Sequence, residues 1–461
     1  MRAPRSHVRQ PRSRGPLPRP FFSVRGAWRA AVRRLQGEST VANILITGIN
    51  YAPENIGTGK YTSEMATWLA AQGHRVRVVT APPYYPAWKV AAGYRRWWWS
   101  RETIAGVDVI RCPVWVPARP GGLTRMIHLA SFGLSCLPPL VGSLFFHPNV
   151  VINIAPTLAS APGALLAARL SGSQTWLHVQ DFELDAALDM GIVNAGPARK
   201  IAMGIERLVM RAFDRVSTIS DKMLERLHAK GVQADACTCF PNWADIDGIR
   251  PLDAPSPYRA ELGIPQDALV ALYSGNMGLK QGLELLAEVA RATSDLPQLH
   301  FVFGGQGPGR ELLEQNCQGL SNVHFLGLQP TERLNDWLGL ADIHLLPQRA
   351  DVADLVMPSK MTGMLASGRP VLATALPGTG VANALLGSGV SVPPGDAQAL
   401  VNALRELACD AAMRGKLGAA ARAQAESTLA RESILTRLNI DIQSLLARGA
   451  PSEPLTDTDP A

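Results

Sequence analysis

Short apolar runs ending at or near a glycine, followed by a loop and a helical pattern, recur along this 461-residue chain and point to a parallel α/β architecture. The run Asn43 to Gly48 (NILITG) leads into a helical pattern from Tyr61 to Ala71. Gly73 stops that helix, and Arg75 to Thr80 (RVRVVT) supplies the next strand. Such a β-loop-α-β unit sets its two strands parallel in a doubly wound sheet. Val107 to Cys112, Val150 to Ile154, Thr175 to Val179 and Arg215 to Ile219 continue the series. The second half repeats it with Leu269 to Ser274, Leu299 to Gly304, Val323 to Leu326, Ile343 to Leu346 and Pro370 to Ala373.

A hydrophobic content of 47% is enough for two cores. The expected division is a disordered basic extension over 1–40, a first domain over 41–245 and a linker over 246–265, within the Pro- and Asp-rich stretch Pro241 to Pro265. A second domain then covers 266–430, a last helix over 431–448 is a candidate to cross back to the first domain, and 449–461 is a disordered tail. A ligand would sit in the cleft beyond the carboxyl ends of both sets of strands.

The formal charge of +7 comes from the first 40 residues, which hold ten arginines and one acid, Glu38. Without them 35 basic residues face 37 acidic ones, so nothing general argues for nucleic-acid binding. Disorder, a transit peptide, a tether to anionic lipid and a translation start at Val41 all remain open for residues 1–40. Six cysteines without framework spacing imply no disulfides and fit a reducing cytoplasm. The apolar stretch Leu129 to Phe146 tempts a transmembrane assignment, but Gly133, Pro138, Pro139 and Gly142 argue against it. A helix at the membrane interface and a core helix are the favoured alternatives.

The chemistry concentrates in two stretches. In YSGNMGLKQGLE, Tyr273 to Glu284, a strand ends in Gly275, a turn follows, and Lys280 stands at the expected start of an amphipathic helix, where amide donors and the helix dipole favour an anion. In PSK, Pro358 to Lys360, a second lysine opens another helix. Two cations for one diphosphate leaving group suit nucleotide-sugar chemistry. The turn GTGK, Gly57 to Lys60, lacks the spacing and the hydroxyl residue of a P-loop, which disfavours ATPase activity. Asp245 and Asp247 form an Asp-x-Asp match, but they lie in the linker, and no essential metal is expected. HVQDFELDAA places His178, Asp181, Glu183 and Asp185 near the carboxyl end of an apolar strand. The aromatic cluster from Tyr84 to Trp99, interleaved with Lys89, Arg95 and Arg96, fits an interface, a sugar-stacking surface or burial.

Taken together, GINYAPENIGTGKYTSEMATWLAAQGHRVRVVT, LHVQDFELDAALDMGI, YSGNMGLKQGLE and PSKMTGMLASGRPVLA resemble the WcaI-type colanic acid biosynthesis glycosyltransferases, within retaining glycosyltransferase family four. The similarity runs from about Asn43 to Leu446. It implies a GT-B fold, two Rossmann-like parallel-sheet domains facing a central cleft. It also implies a nucleotide-sugar donor, with GDP-fucose one such donor, and a lipid-linked saccharide acceptor. The expected location is peripheral, at the inner face of the cytoplasmic membrane, with no cofactor. By resemblance, Gly57 and Gly59 face the donor phosphate, and Lys280 and Lys360 balance the leaving group. Gly275, Ser359 and the loop glycines Gly304, Gly305 and Gly307 would complete the donor site. Asn276 stands where relatives often carry Arg, and Gly363 falls where a second Glu is usual, leaving Asp354 or Asp351 as the nearest acid to the sugar. On the acceptor side Asp181 would orient the hydroxyl, with Glu183 nearby and either His178 or Gln180 matching a family histidine. A nucleotide-sugar epimerase of the same architecture and a catalytically silent scaffold are the alternatives.

Overall fold

The computed structural model describes residues 41–54, 57–119, 121–182, 197–278, 281–349 and 358–449. Two sheets organise them. The first holds β1 (Asn43–Thr47), β2 (Arg75–Thr80), β3 (Ser100–Ile104), β4 (Val107–Arg111), β5 (Val150–Ala155), β6 (Gln174–Val179), β7 (Arg215–Thr218) and β8 (Cys237–Cys239), in the order β3-β4-β2-β1-β5-β6-β7-β8. All neighbours are parallel except β3, which pairs antiparallel with β4. The second sheet holds β9 (Leu269–Ser274), β10 (Leu299–Gly304), β11 (Val323–Leu326), β12 (Ile343–Leu346), β13 (Val371–Thr374) and β14 (Gly389–Val392), all parallel, in the order β11-β10-β9-β12-β13-β14.

The strands are apolar on both faces because helices cover both. Along β1, Ile44 and Ile46 enter one core and Leu45 another. Along β9, Val270 and Leu272 face one layer while Ala271 and Tyr273 face the other. Such continuous apolar runs mark a buried parallel sheet, in contrast to the alternation of a sheet with one wet face. In both sheets the strand order reverses next to the first strand, between β1 and β5 and between β9 and β12. These reversals open crevices at the carboxyl ends of the strands, the places where doubly wound folds take ligands.

The connection between the sheets is packed. Trp243, Ile249, Tyr258 and Ile264 are all buried, and the Arg422 guanidinium donates to the carbonyls of Ile246, Ile249 and Ala366 at 2.7–2.9 Å. After the second sheet the chain returns. Ala244 forms a parallel bridge with Ala430, and the last helix, Arg431–Gly449, inserts Ile434, Leu435, Leu438, Ile442 and Leu445 into the core around β1 and Trp176. Its polar face is anchored as well: His74 Nε2 pairs with Asn439 Oδ1 at 2.9 Å, and Trp68 Nε1 donates to Glu432 at 2.7 Å.

Candidate functional site

Lys360 opens the helix Lys360–Ala366 and reaches back to the end of β9. Its ammonium lies 3.2 Å from the Tyr273 hydroxyl, 3.1 Å from Gln281 Oε1 and 4.3 Å from the centre of the Tyr273 ring. Among the described residues no carboxylate pairs with it, and burial alone pushes its pKa down to about 7. A cation held against its preference for water, with neutral partners only, is poised to gain from an incoming anion. The loop that receives it is shaped for close approach. Gly275 has φ 138°, and a Cβ there would stand 3.2 Å from the Lys360 side chain.

The glycines of GGQGPGR have a different reason. The loops after β9 and β10 are zipped backbone to backbone, Gly275 N to Gly304 O at 2.9 Å, Met277 N to Gln306 O at 2.9 Å and Gly309 N to Met277 O at 2.8 Å. A Cβ on Gly305 would lie 1.8 Å from Gly275 O, one on Gly307 2.5 Å from Met277 O, and one on Gly304 2.1 Å from the Trp337 ring. Gly304, Gly305 and Gly307 therefore support the Gly275 loop by packing, a task that accounts for them without a ligand. Asn276 is exposed at the tip of that loop, and its carbonyl accepts from Tyr273 at 2.6 Å.

Across from Lys360 stands the helix Thr58–Ala71, opened by the GTGK turn. Gly57 adopts φ 58° with open space around it, so its backbone conformation alone favours glycine. Gly59 is required sterically, since a Cβ would meet the Glu54 carbonyl at 2.8 Å. Tyr61, buried and pushed up to about 12, hydrogen-bonds Thr362, two residues past Lys360. That contact sets the helix that GTGK opens against the helix that PSK opens.

Two buried charges brace the first-lobe side, and neither was singled out from sequence. Glu54 Oε1 accepts from the amides of Tyr84 and Tyr85, both at 2.7 Å, and Oε2 accepts from Asn50 Nδ2 at 2.8 Å. Burial nevertheless raises its pKa. Arg111, at the end of β4, donates to the carbonyls of Ala52 and Ala81 and to Glu102. The loops after β1 and β2 are thus tied by one acid and one base. Glu54→Gln would set an amide N–H2 against a donor, and we expect it to lower unfolding free energy by about 1–3 kcal/mol in urea titration. A wild-type midpoint would show that the carboxylate is dispensable.

Several sequence expectations move. His178 lies in β6, 3% exposed, bonded through Nδ1 to Ser217 Oγ at 2.8 Å and packed edge-on to Phe240. Burial lowers its pKa to about 3, so it is a neutral core histidine and offers no acceptor contact. Gln180 is also buried, while Asp181 is partly exposed at the loop that follows. Ser359 is exposed before the helix, and its carbonyl accepts from Thr362. Gly363 faces Leu338 and Ile249, an apolar contact. The helix after β9 starts at Glu284, four residues beyond Lys280. Lys280, Asp351, Asp354, Glu183 and Asp185 lie outside the described residues. Asp245 accepts from the Gly248 amide in a turn, and among the described residues no three His, Cys, Asp or Glu side chains converge to hold a metal ion.

Two family models match this arrangement lobe by lobe, a glycosyl transferase 4-like domain over residues 57–243 and glycosyl transferases group 1 over residues 268–410. The chain is 42% identical over 410 residues to an Escherichia coli K12 protein provisionally named the colanic acid biosynthesis glycosyl transferase WcaI, covering 87% of this chain and 99% of that one. The chain belongs to the WcaI family of glycosyltransferases. Among solved structures, sucrose-phosphate synthase from Thermosynechococcus elongatus superposes with a TM-score of 0.68 at 18% identity, over 88% of this chain and all of the other. Anabaena HepE in complex with UDP and glucose gives 0.63 at 15%, over 87% and 100%. At such identities the likeness shows the fold, and the WcaI-family chain has the GT-B fold.

Proposed function

We propose that this glycosyltransferase is a retaining enzyme that moves a sugar, fucose from GDP-fucose, onto a polyprenyl-diphosphate-linked saccharide. The setting is the assembly of a colanic-acid-like exopolysaccharide, with the enzyme peripheral to the cytoplasmic face of the inner membrane. Family membership supports transfer chemistry, and the name of the Escherichia coli relative supports the setting. The observation that carries the site is the ammonium of Lys360, which no carboxylate among the described residues compensates, beside Gly275 at the strand-order reversal of the second sheet.

As the glycosyl C1–O bond breaks, negative charge accumulates on the departing diphosphate. Lys360, with Lys280 as the second cation, stabilises that charge more in the transition state than in the ground state. In front-face transfer a phosphate oxygen takes the acceptor proton, so no strong protein base is required, and Asp181 orients the acceptor hydroxyl.

A pH dependence follows. The diphosphate of a nucleotide sugar is a diester with no ionisation near neutrality, and binding it raises the Lys360 pKa above its free value of about 7. Below that value the lysine is already charged and affinity is maximal. Above it binding must take up a proton, so Kd is expected to rise by up to about tenfold per pH unit. Calorimetry between neutral and alkaline pH reads this, and a flat profile rejects the assignment of Lys360 to the diphosphate.

The deciding experiment incubates the protein with a panel of nucleotide sugars and membrane lipid extract and reads glycosylated lipid by mass spectrometry. A new lipid-linked product with GDP-fucose supports the proposal. Conversion of donor without acceptor points to an epimerase, and diphosphate binding without transfer points to a scaffold.

A further inference from the structure

We propose that an exposed face of the first lobe, built from the helices Gly122–Ser135 and Ala161–Ser171 with Trp97 and Trp98 at its edge, docks on an anionic bilayer surface. This deepens the peripheral-membrane part of the proposed function and rests on it.

Along the helix Gly122–Ser135, Leu123, Met126, Ile127, Ala130 and Leu134 are exposed. Their spacing places them on one stripe, and Leu134 is 75% accessible. The opposite side of the same helix carries His128 and Phe132 into the core, followed by Cys136 and Leu140. The stripe continues past the helix end. Leu137 packs against Gly163, one turn before Leu166, and both Leu166 and Leu170 are exposed. Gly133 is seated on the Ala159 carbonyl, where a Cβ would stand at 2.5 Å, which locks the first helix to the start of the second. Trp99 Nε1 donates to Ser135 O at 2.9 Å, bringing the neighbouring Trp97 and Trp98, 66% and 64% exposed, to the same end.

A soluble surface seldom shows so continuous an apolar stripe. The charges decide what covers it. No Asp or Glu occurs between Asp108 and Asp181. Asp108 is held by Arg77 and Arg101, and Glu102 by Arg111. Exposed cations border it: Arg95 and Arg96 beside the tryptophans, Arg119 and Arg125 at the start of the first helix, and Arg169 beside Leu170, with the Arg96 guanidinium 4.6 Å from the Trp97 ring. Leucines and tryptophans edged by arginine and free of acids match a headgroup layer bearing negative charge. The 25 residues Gly122–Phe146 are long and apolar enough to cross a bilayer by length and composition. Crossing would pull Phe132, Cys136 and Leu140 out of the lobe core, so the segment lies along the surface.

The test is co-sedimentation of the full chain with vesicles of phosphatidylcholine, alone or with an equal part of phosphatidylglycerol. The wild type is expected to bind the mixed vesicles and release at high salt. Leu134→Glu/Leu166→Glu should weaken partitioning at least about tenfold, with an unchanged melting curve because both positions are exposed. Trp97→Ala/Trp98→Ala should abolish the blue shift of tryptophan emission on binding. If the wild type binds and both variants bind equally, the face is wrong while the peripheral reading stands, as when residues 1–40 carry the binding. If the wild type binds neither vesicle, the peripheral reading falls with it. Dimerisation in lipid-free buffer that Leu134→Glu abolishes would assign the face to a second copy and overturn the bilayer.

Discussion

Lys360→Ala is expected to lower kcat/KM for sugar transfer by about 100- to 1,000-fold, the usual effect of removing one preorganised charge from a leaving-group site. The geometry makes the substitution clean. Among the described residues the ammonium contacts the Tyr273 hydroxyl, the Tyr273 ring and Gln281, all neutral, so its removal breaks no ion pair among them. Burial already disfavours its charge. Alanine should therefore leave the melting temperature unchanged or slightly raised while activity collapses, a split that a merely structural lysine would not give. Arginine is not expected to rescue, because its planar guanidinium does not reproduce the compact ammonium that sits between the Tyr273 hydroxyl and Gln281 Oε1. The double variant Lys280→Ala/Lys360→Ala should have no measurable transfer. Wild-type kinetics with the lipid acceptor would remove both lysines from the mechanism.

The largest stability effect is expected from Gly305→Ala. The new Cβ would stand 1.8 Å from the Gly275 carbonyl on a residue with φ 145°, so steric and conformational penalties coincide. Neither loop can retreat readily, because Gly275 N bonds Gly304 O and Gly305 N bonds Leu326 O. A loss of about 3 kcal/mol or more follows, or failure to fold. Gly57→Ala is the matched control. Its φ of 58° and ψ of −136° also favour glycine, but nothing stands within 4 Å, so only the conformational penalty of about 1–3 kcal/mol is expected, without a clash. Equal urea midpoints for the two variants would contradict loop-on-loop packing.

The parallel architecture was legible because a strand buried on both faces is a nearly continuous apolar run, as in VVINIA and LVALYS, and RVRVVT still read as a strand through its buried valines despite Arg75 and Arg77. The strands that escaped notice lack that burial. β3 is SRETI on a sheet edge, polar and alternately exposed. β14 is GVSV on the other sheet's edge, and β8 is three residues of partial burial. At the site, the placement of Lys360 at a helix start was readable, since it depends on neighbours in sequence. Its partner Tyr273 and its depressed pKa were not, because they arise from contact between segments 87 residues apart. The same limit misplaced His178: a histidine near the end of a strand reads alike whether its ring faces solvent or, as here, a serine on β7. Glu54 and Arg111 gave no signal at all, as their partners are mostly main-chain groups of other loops.

The bridge between Ala244 and Ala430 has a mechanical consequence. The chain passes between lobes twice, outward near Ala244 and back near Ala430, and the two passages run side by side like the paired leaves of a door hinge. Opening about that line bends both segments together and leaves the pair intact, whereas torsion of one lobe against the other would shear it. The returning helix Arg431–Gly449 anchors the second passage to the first lobe through Ile434, Leu435, Leu438, Ile442 and Leu445.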